Sequence, residues 1–328
     1  MLLGCTPLRL MWRKRVRSVP RVAIVMPTFN SARHLKSTVE SVVAQTFSEW
    51  ELVLFDDGST DDTISLSKEL AAHDERIHTA TGAHLGPAVA RNEGLRRTNP
   101  QSEFVIFLDS DDTWVPEALA ELVSALEENP HCVVAHGLAR ATDMDGHQLE
   151  GDDLADNMRR RRELHGDELV VLPASANTTF GALLVENCVV TPGTSLIRRS
   201  TLELVGDLDP TTSPGDDWDL NVRLARAGDF AFLDRTVLNW RRHPDALSNT
   251  NGRMRRVYVV VRRRSIQSSE NTPDQRAAAF AMLRRDCRLS RRAIKEKLRR
   301  RRLSSAAKDA GYAFMLHVEY IRCRLVTR

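Results

Sequence analysis

Four times between Arg21 and Asn129, a short apolar and β-branched run gives way to a segment whose apolar residues recur at helical spacing. The runs are "RVAIVMP" (Arg21–Pro27), "ELVLFDDGS" (Glu51–Ser59), a weaker one at Arg76–Ala80, and "FVIFLDSDD" (Phe104–Asp112). The first helical segment, residues 31–46, puts Leu35, Val39, Val42 and Val43 on one stripe with Ser31 as N-cap. "TDDTISLSKELAAH" follows with acids in its first turn, then Pro87–Arg97, then Pro116–Asn129 with proline at its start. Such alternation predicts right-handed βαβ units and a mainly parallel α/β sheet covered by helices on both faces. Ligands of such sheets bind beyond the carboxyl ends of the strands, where the acid clusters Asp56-Asp57 and Asp109–Asp112 fall.

From Cys132 the pattern changes. An extended segment turns at Asp145-Gly146, and residues 150–175 read as polar and irregular. "DMDG" (Asp143–Gly146) has no glutamate at EF-hand distance and is not read as a calcium loop. Gly193–Gly206 predicts a strand and a helix. Pro214–Gly228 predicts a helix with Leu220, Leu224 and Ala227 on one stripe and Gly228 as its stop, and Phe230–His243 predicts a strand.

The aspartates of "FVIFLDSDDTW" would repel one another unless a cation lay among them. Hard divalent ions such as Mg²⁺ and Mn²⁺ take oxygen ligands and neutralise crowded carboxylates. The competing structural reading is that Asp111 or Asp112 caps the helix beginning near Pro116. A dinucleotide-binding oxidoreductase lacks support, because no GxGxxG follows the first strand and "MPTFNSA" holds no glycine.

Charge is distributed unevenly. Residues 253–328 hold 22 Lys and Arg against 6 Asp and Glu, while the rest of the 328-residue chain holds 25 against 38. The five cysteines form no CxxC pair, so neither a disulfide framework nor a zinc knuckle is predicted. "LLGC" at Leu2–Cys5 lacks the apolar stretch of a secretion signal, and no apolar run reaches membrane-spanning length.

"VAIVMPTFN", "QTFSEWELVLFDDGSTDDT", "GPAVARNEGL", "FVIFLDSDDTW", "PGTSLIRRS", "GDDWDLNVRLARAG" and "WRRH" occur in this order. Over residues 21–248 the chain thereby resembles the family-2 glycosyltransferases, which have the Rossmann-like GT-A fold and use nucleotide-diphosphate sugars. The resemblance implies that Pro27, Thr28 and Phe29 line the base and ribose, and that Asp57 accepts from a uracil N–H while Asp56 supports the turn. It places Arg91 and Asn92 near the nucleotide and its phosphates. Asp109 and Asp111 match the DxD motif: Asp109 would touch ribose or a metal-bound water and Asp111 would ligate Mn²⁺ or Mg²⁺, with Asp112 as a further ligand or only a cap. His243 matches a histidine near the metal or diphosphate. Asp217 matches the general base. Asp216 stands where glutamate is commoner, which leaves the choice of base between the two open.

These matches define a basic leader (1–20), a catalytic domain with a nucleotide-binding half (21–130) and an acceptor half (131–252), and a basic helical C-terminal extension (253–328). The implied activity is inverting transfer from a nucleotide-diphosphate sugar, UDP-linked by expectation, to a hydroxyl of a cell-envelope glycan, polysaccharide or lipid-linked acceptor. The alternative is a binding protein acting through its tail on membrane or nucleic acid. "CRLSRRAIKEKLRRRRL" (Cys287–Leu303) interleaves no aromatic with its basic residues, so nucleic acid is not expected. Residues 284–328 are read instead as a surface for anionic lipid, with Leu289, Ile294 and Leu298 as its apolar part, on a cytoplasmic protein at the inner membrane face.

Overall fold

The computed structural model describes residues 19–166, 168–242, 251–300 and 303–326. Its first half alternates as the sequence predicts: β1 (Val22–Thr28), α1 (Ala32–Val43), β2 (Trp50–Asp56), α2 (Thr63–His73), β3 (Ile77–Thr81), α3 (Pro87–Leu95) and β4 (Phe104–Phe107). β5 (Thr113–Trp114), α4 (Ala118–Glu128) and β6 (Val134–Thr142) follow. β1 is parallel to both β2 and β4, with Val25 opposite Val53 and Phe107. Its side chains alternate between two cores. Val22, Ile24 and Met26 pack with Leu35, Val39 and Leu122, while Ala23 and Val25 pack with Ala88 and Trp218 on the other face. α3 lies close against this sheet because residue 94 is glycine: a Cβ there would sit 2.6 Å from Val25 Cγ1.

Residues 150–175 are more regular than their composition suggests. They contain α5 (Leu154–Arg159) and an antiparallel hairpin, β7 (Arg162–His165) with β8 (Glu168–Val171). Next come α6 (Phe180–Val185), β9 (Ser195–Arg198), α7 (Arg199–Val205), α8 (Asp216–Ala227) and β10 (Phe230–Arg241). The eight-stranded sheet runs β3-β2-β1-β4-β9-β6-β10-β5, with β9 antiparallel to both neighbours and β5 antiparallel to β10. The sheet is therefore mixed and mainly parallel.

Three local expectations are corrected. Ser31 makes no side-chain cap; its Oγ lies 2.7 Å from Ser110 Oγ and so ties the start of α1 to the aspartate loop. The acids before α2 lie outside its first turn, where Asp61 accepts from Thr63 N (3.0 Å) and Ala32 N (3.2 Å). Val43 and Ala227 are exposed, since each is the last residue of its helix and the apolar stripe has run out.

The extension forms α9 (Asn251–Gln267), α10 (Pro273–Arg299) and α11 (Leu303–Val326). It is not peripheral: Val257, Val259, Val261, Met282, Leu283 and Leu316 join the core that holds Trp218 and Leu220. No described helix is long and apolar enough to cross a membrane. Leu283→Ala should cost about 2–5 kcal/mol through the cavity it leaves, and a chain ending at residue 252 should lose its cooperative urea transition. A sharp, native-like transition for residues 1–252 would make the extension an appendage instead.

Candidate active site

The carboxyl ends of β1 and β2 are joined by a buried carboxylate. Asp56 accepts from Thr28 Oγ1 (3.2 Å), Gly58 N (3.1 Å), Ser59 N (2.9 Å) and Ser59 Oγ (2.5 Å), so it holds the Asp-Asp-Gly-Ser turn. Gly58 has φ 82°, a conformation that favours glycine. Asp57 turns the other way and accepts from Leu85 N (2.9 Å) and Gly86 N (2.8 Å), drawing in the loop before α3. That loop delivers His84, whose ring stacks on exposed Phe29 at 4.1 Å with its Nδ1 3.2 Å from Asp57. Pro27, Thr28, Phe29 and Asp57 are thus brought together, and His84 joins them without any signal in its local sequence.

Arg91 lies buried on α3. It donates from Nη2 to Asp109 Oδ1 (2.5 Å) and from Nη1 to Asp216 Oδ2 (2.9 Å). Burial alone would lower its pKa; the charges of Asp109 and Asp216 more than reverse this and hold the guanidinium charged. The surface arginine that an amphipathic α3 would allow is therefore an internal bridge. Asn92 points elsewhere: its Nδ2 donates to Leu208 O (2.8 Å) and its Oδ1 accepts from Leu208 N (3.1 Å). Both ends of the amide are thus consumed in fixing the segment before α8.

Asp217 follows Asp216 at the start of α8. Its Oδ1 accepts from Trp218 N (2.7 Å) and its Oδ2 lies 3.4 Å from Asn187 Nδ2. Burial first, and then the charge of Asp216, push its carboxyl up to about 7, against the opposing pull of Arg91 and the Trp218 N–H. Two adjacent acids have therefore been set apart, one locked in an ion pair and the other poised near neutrality.

Asp109 and Asp111 are half-exposed, whereas Asp112 is buried and accepts from Arg241 N (3.0 Å) and Thr191 Oγ1 (3.3 Å). Asp112 does not cap α4, whose cap position is Glu117; it fastens the aspartate loop to β10 and to Thr191. Burial and the neighbouring Asp111 and Asp109 raise its carboxyl well above the usual range. The grouping of hard oxygen donors at Asp109 and Asp111 fits a divalent cation between them. His243 lies outside the described residues. A separate group, Asp143, Asp145 and His147, converges within 4.8 Å at the exposed turn after β6. There Asp143 Oδ1 accepts from Asp145 N and His147 N (both 2.9 Å), the bonding of a tight Asx-type turn.

The family model described as Glycosyl transferase family 2 matches residues 23–203. The chain belongs to glycosyl transferase family 2. Within the family it is 37% identical over 109 residues to the Escherichia coli UDP-Glc:alpha-D-GlcNAc-diphosphoundecaprenol beta-1,3-glucosyltransferase WfgD, covering 33% of this chain and 42% of that protein. The chain spans about half the length of the curated relatives it matches, or less (52%, 43% and 42%). Among solved structures, S. aureus TarS 1-349 in complex with UDP-GlcNAc aligns with a TM-score of 0.61 at 18% identity, over 81% of this chain and 72% of that one. The mannosyltransferase PcManGT from Pyrobaculum calidifontis, in complex with GDP-Man and Mn²⁺, aligns with a TM-score of 0.56 at 17% identity, over 93% and 88%. At such identities the structures establish a shared glycosyltransferase fold.

Replacing Arg91 with methionine leaves Asp216 buried and unpaired, which should cost about 3–5 kcal/mol. The double variant Arg91→Met/Asp216→Asn should lose less than the sum of the two single changes in urea titrations, because the two residues share one interaction.

Proposed function

We propose that this family-2 member transfers a sugar, with inversion, from a UDP-linked donor to a hydroxyl of a cell-envelope glycan or lipid-linked acceptor. The observation that carries the reading is the convergence of Asp109 after β4, Arg91 in the middle of α3, and Asp216 and Asp217 at the start of α8, with one carboxyl near neutrality. The name of WfgD, which specifies a UDP-glucose donor and a diphosphoundecaprenol-linked acceptor, and the UDP-GlcNAc complex of TarS support the choice of donor and acceptor class.

In this reading residues 21–130 carry the donor and 131–252 the acceptor. The exposed faces of Phe29 and His84 receive the base, beside Asp57. The acceptor hydroxyl gives its proton to the Asp217 carboxylate while its oxygen bonds to the anomeric carbon from the side opposite the diphosphate. The bond from that carbon to the phosphate oxygen breaks, its electron pair leaves with the nucleoside diphosphate, and the configuration inverts. Asp216 is the partner of Arg91 and not the base, since its carboxylate is buried and engaged by the guanidinium. Mn²⁺ or Mg²⁺ held by Asp109 and Asp111, with His243, would offset the charge growing on the leaving diphosphate. The remaining acceleration comes from holding both substrates in line.

A base with a carboxyl near 7 is active only when deprotonated. The kcat/KM for transfer should therefore rise with pH through a midpoint near 7. Asp217→Asn should remove that limb and lower kcat by about 10²–10⁴-fold, measured as nucleoside diphosphate released in the presence of acceptor. A variant that kept both rate and pH limb would shift the assignment away from Asp217.

The extension adds an anionic-membrane contact to this proposal. Arg285, Arg288 and Arg292 line a recess with Leu289, while Phe314 and Ile321 stand exposed one heptad apart on α11. Ile294, by contrast, is half-buried, so it is α11 that supplies much of the apolar surface. Full-length protein should float with vesicles containing anionic lipid, and Phe314→Asp/Ile321→Asp should not. Equal flotation with purely zwitterionic vesicles would remove the role of the arginines.

A further inference from the structure

We propose that Asn187 orients the acceptor, and that the acceptor is a sugar or polyol carrying a second hydroxyl next to the one that is glycosylated. The inference rests on Asp217 as the base. Asn187 follows the short helix α6 in a stretch where the sequence offers no motif, yet it is the side chain brought to the free carboxylate oxygen of Asp217. Its Nδ2 lies 3.4 Å from Asp217 Oδ2, whereas Asp217 Oδ1 is already taken by Trp218 N. A carboxylate can only accept from an amide, so the contact fixes which end of Asn187 faces it: Nδ2 inward, Oδ1 away. That Oδ1 is buried and has no hydrogen-bond partner among the described residues.

An unfilled buried carbonyl oxygen is costly and needs a donor. Its location, one amide group away from the base, selects the donor. A hydroxyl attached to the carbon next to the attacked one would give its hydrogen to Oδ1 while the attacked hydroxyl gives its own to Asp217. A lone alcohol, with a single hydroxyl hydrogen, could satisfy only one of the two.

The position of Asn187 is enforced from three sides. Trp218 Nε1 donates to Leu183 O (2.7 Å), tying α6 to the helix that bears the base. Arg162 forms a two-point pair with Glu186 (3.0 and 2.8 Å). Arg262, from the C-terminal extension, donates to Leu184 O (3.2 and 3.1 Å) and Val185 O (3.0 Å) and pairs with Asp286. The last carbonyls of α6 are thus capped by a buried arginine, which leaves the next residues no freedom to swing away.

The test uses the full chain with Mn²⁺. A panel of nucleotide sugars is screened for hydrolysis, and the donor that turns over is then offered methyl glycosides and their monodeoxy analogues. With wild-type protein, removing the hydroxyl next to the attacked one should lower acceptor kcat/KM at least tenfold. Asn187→Ala should lose at least tenfold with the intact acceptor, and lose at least tenfold more in transfer than in hydrolysis, while the deoxy analogue should carry no further penalty. If the deoxy penalty persists undiminished in Asn187→Ala, or if hydrolysis and transfer fall together, Asn187 is only a prop for Asp217 and the proposal fails. The wild-type comparison needs no variant, and a thermal melt of Asn187→Ala checks its fold. Transfer retained by Asp217→Asn would sink the base assignment while leaving the Asn187 coupling measurable. A chain that hydrolyses no nucleotide sugar overturns both.

Discussion

A single buried guanidinium holds the two halves of the site together. Arg91 faces Asp109 at the end of the central sheet and Asp216 at the start of α8, with Asp217 near enough to raise its pKa further. Without that cation three carboxylates would share a poorly solvated space, where like charges are expensive and protonation is the usual escape. With it, Asp109 and Asp216 are paired and the residual strain falls on Asp217, which is the carboxyl that titrates near neutrality. Three residues within four positions of α3 achieve this. Arg91 reaches the acids, Asn92 clasps the backbone of Leu208 ahead of α8, and Gly94 lets the helix approach β1 closely enough for both.

The basic C-terminal extension looks, by charge alone, like a surface seeking an external anion. Part of that charge is spent internally. Arg264 pairs with Asp209 (2.7 Å) and lies 3.5 Å from Asp219, and Arg262 caps α6 while paired with Asp286. The opposed charges of body and extension thus meet across the joint between α8 and α9, where they fix the helix that carries Asp216 and Asp217. Exposed arginines also lie further along, among them Arg291 and Arg292 on α10 and Arg322 on α11.

Periodicity made the parallel half of the molecule legible. Buried strands followed by amphipathic helices have only one compact arrangement, and the acids that end β2 and β4 had to fall on the same edge of the sheet. What was not legible depends on contacts between segments distant in sequence. His84 is a lone polar residue until Asp57 draws its loop inward. Asn187 lies in an irregular stretch, and its role appears only when Arg262, 75 residues later, fixes the helix before it. The bonds that Asp112 makes could not be read locally, because its hydrogen-bond partners Thr191 and Arg241 lie 79 and 129 residues away in sequence. The antiparallel insertion of β9 between β4 and β6 was likewise hidden, since a short apolar strand carries no mark of its direction.

On the proposed reading, with the nucleotide over β1, β2 and β4 and the acceptor beside α6, the two sides of the site are built with different tolerances. The donor side rests on strand ends whose register is locked by burial on both faces and on turns closed by Asp56 and Asp57, so a side chain there moves only if the sheet moves. The acceptor side rests on α6 and the residues after it, a short element whose own backbone bonds cannot hold it and which side chains from α8, β7 and α9 must tie down. Changes along the segment from α5 to α6 can therefore reshape what the acceptor meets without disturbing the nucleotide, provided that Trp218, Arg162 and Arg262 still find the same carbonyls and carboxylate. On this architecture one chemistry can be aimed at different acceptors, and the C-terminal extension is part of the aiming.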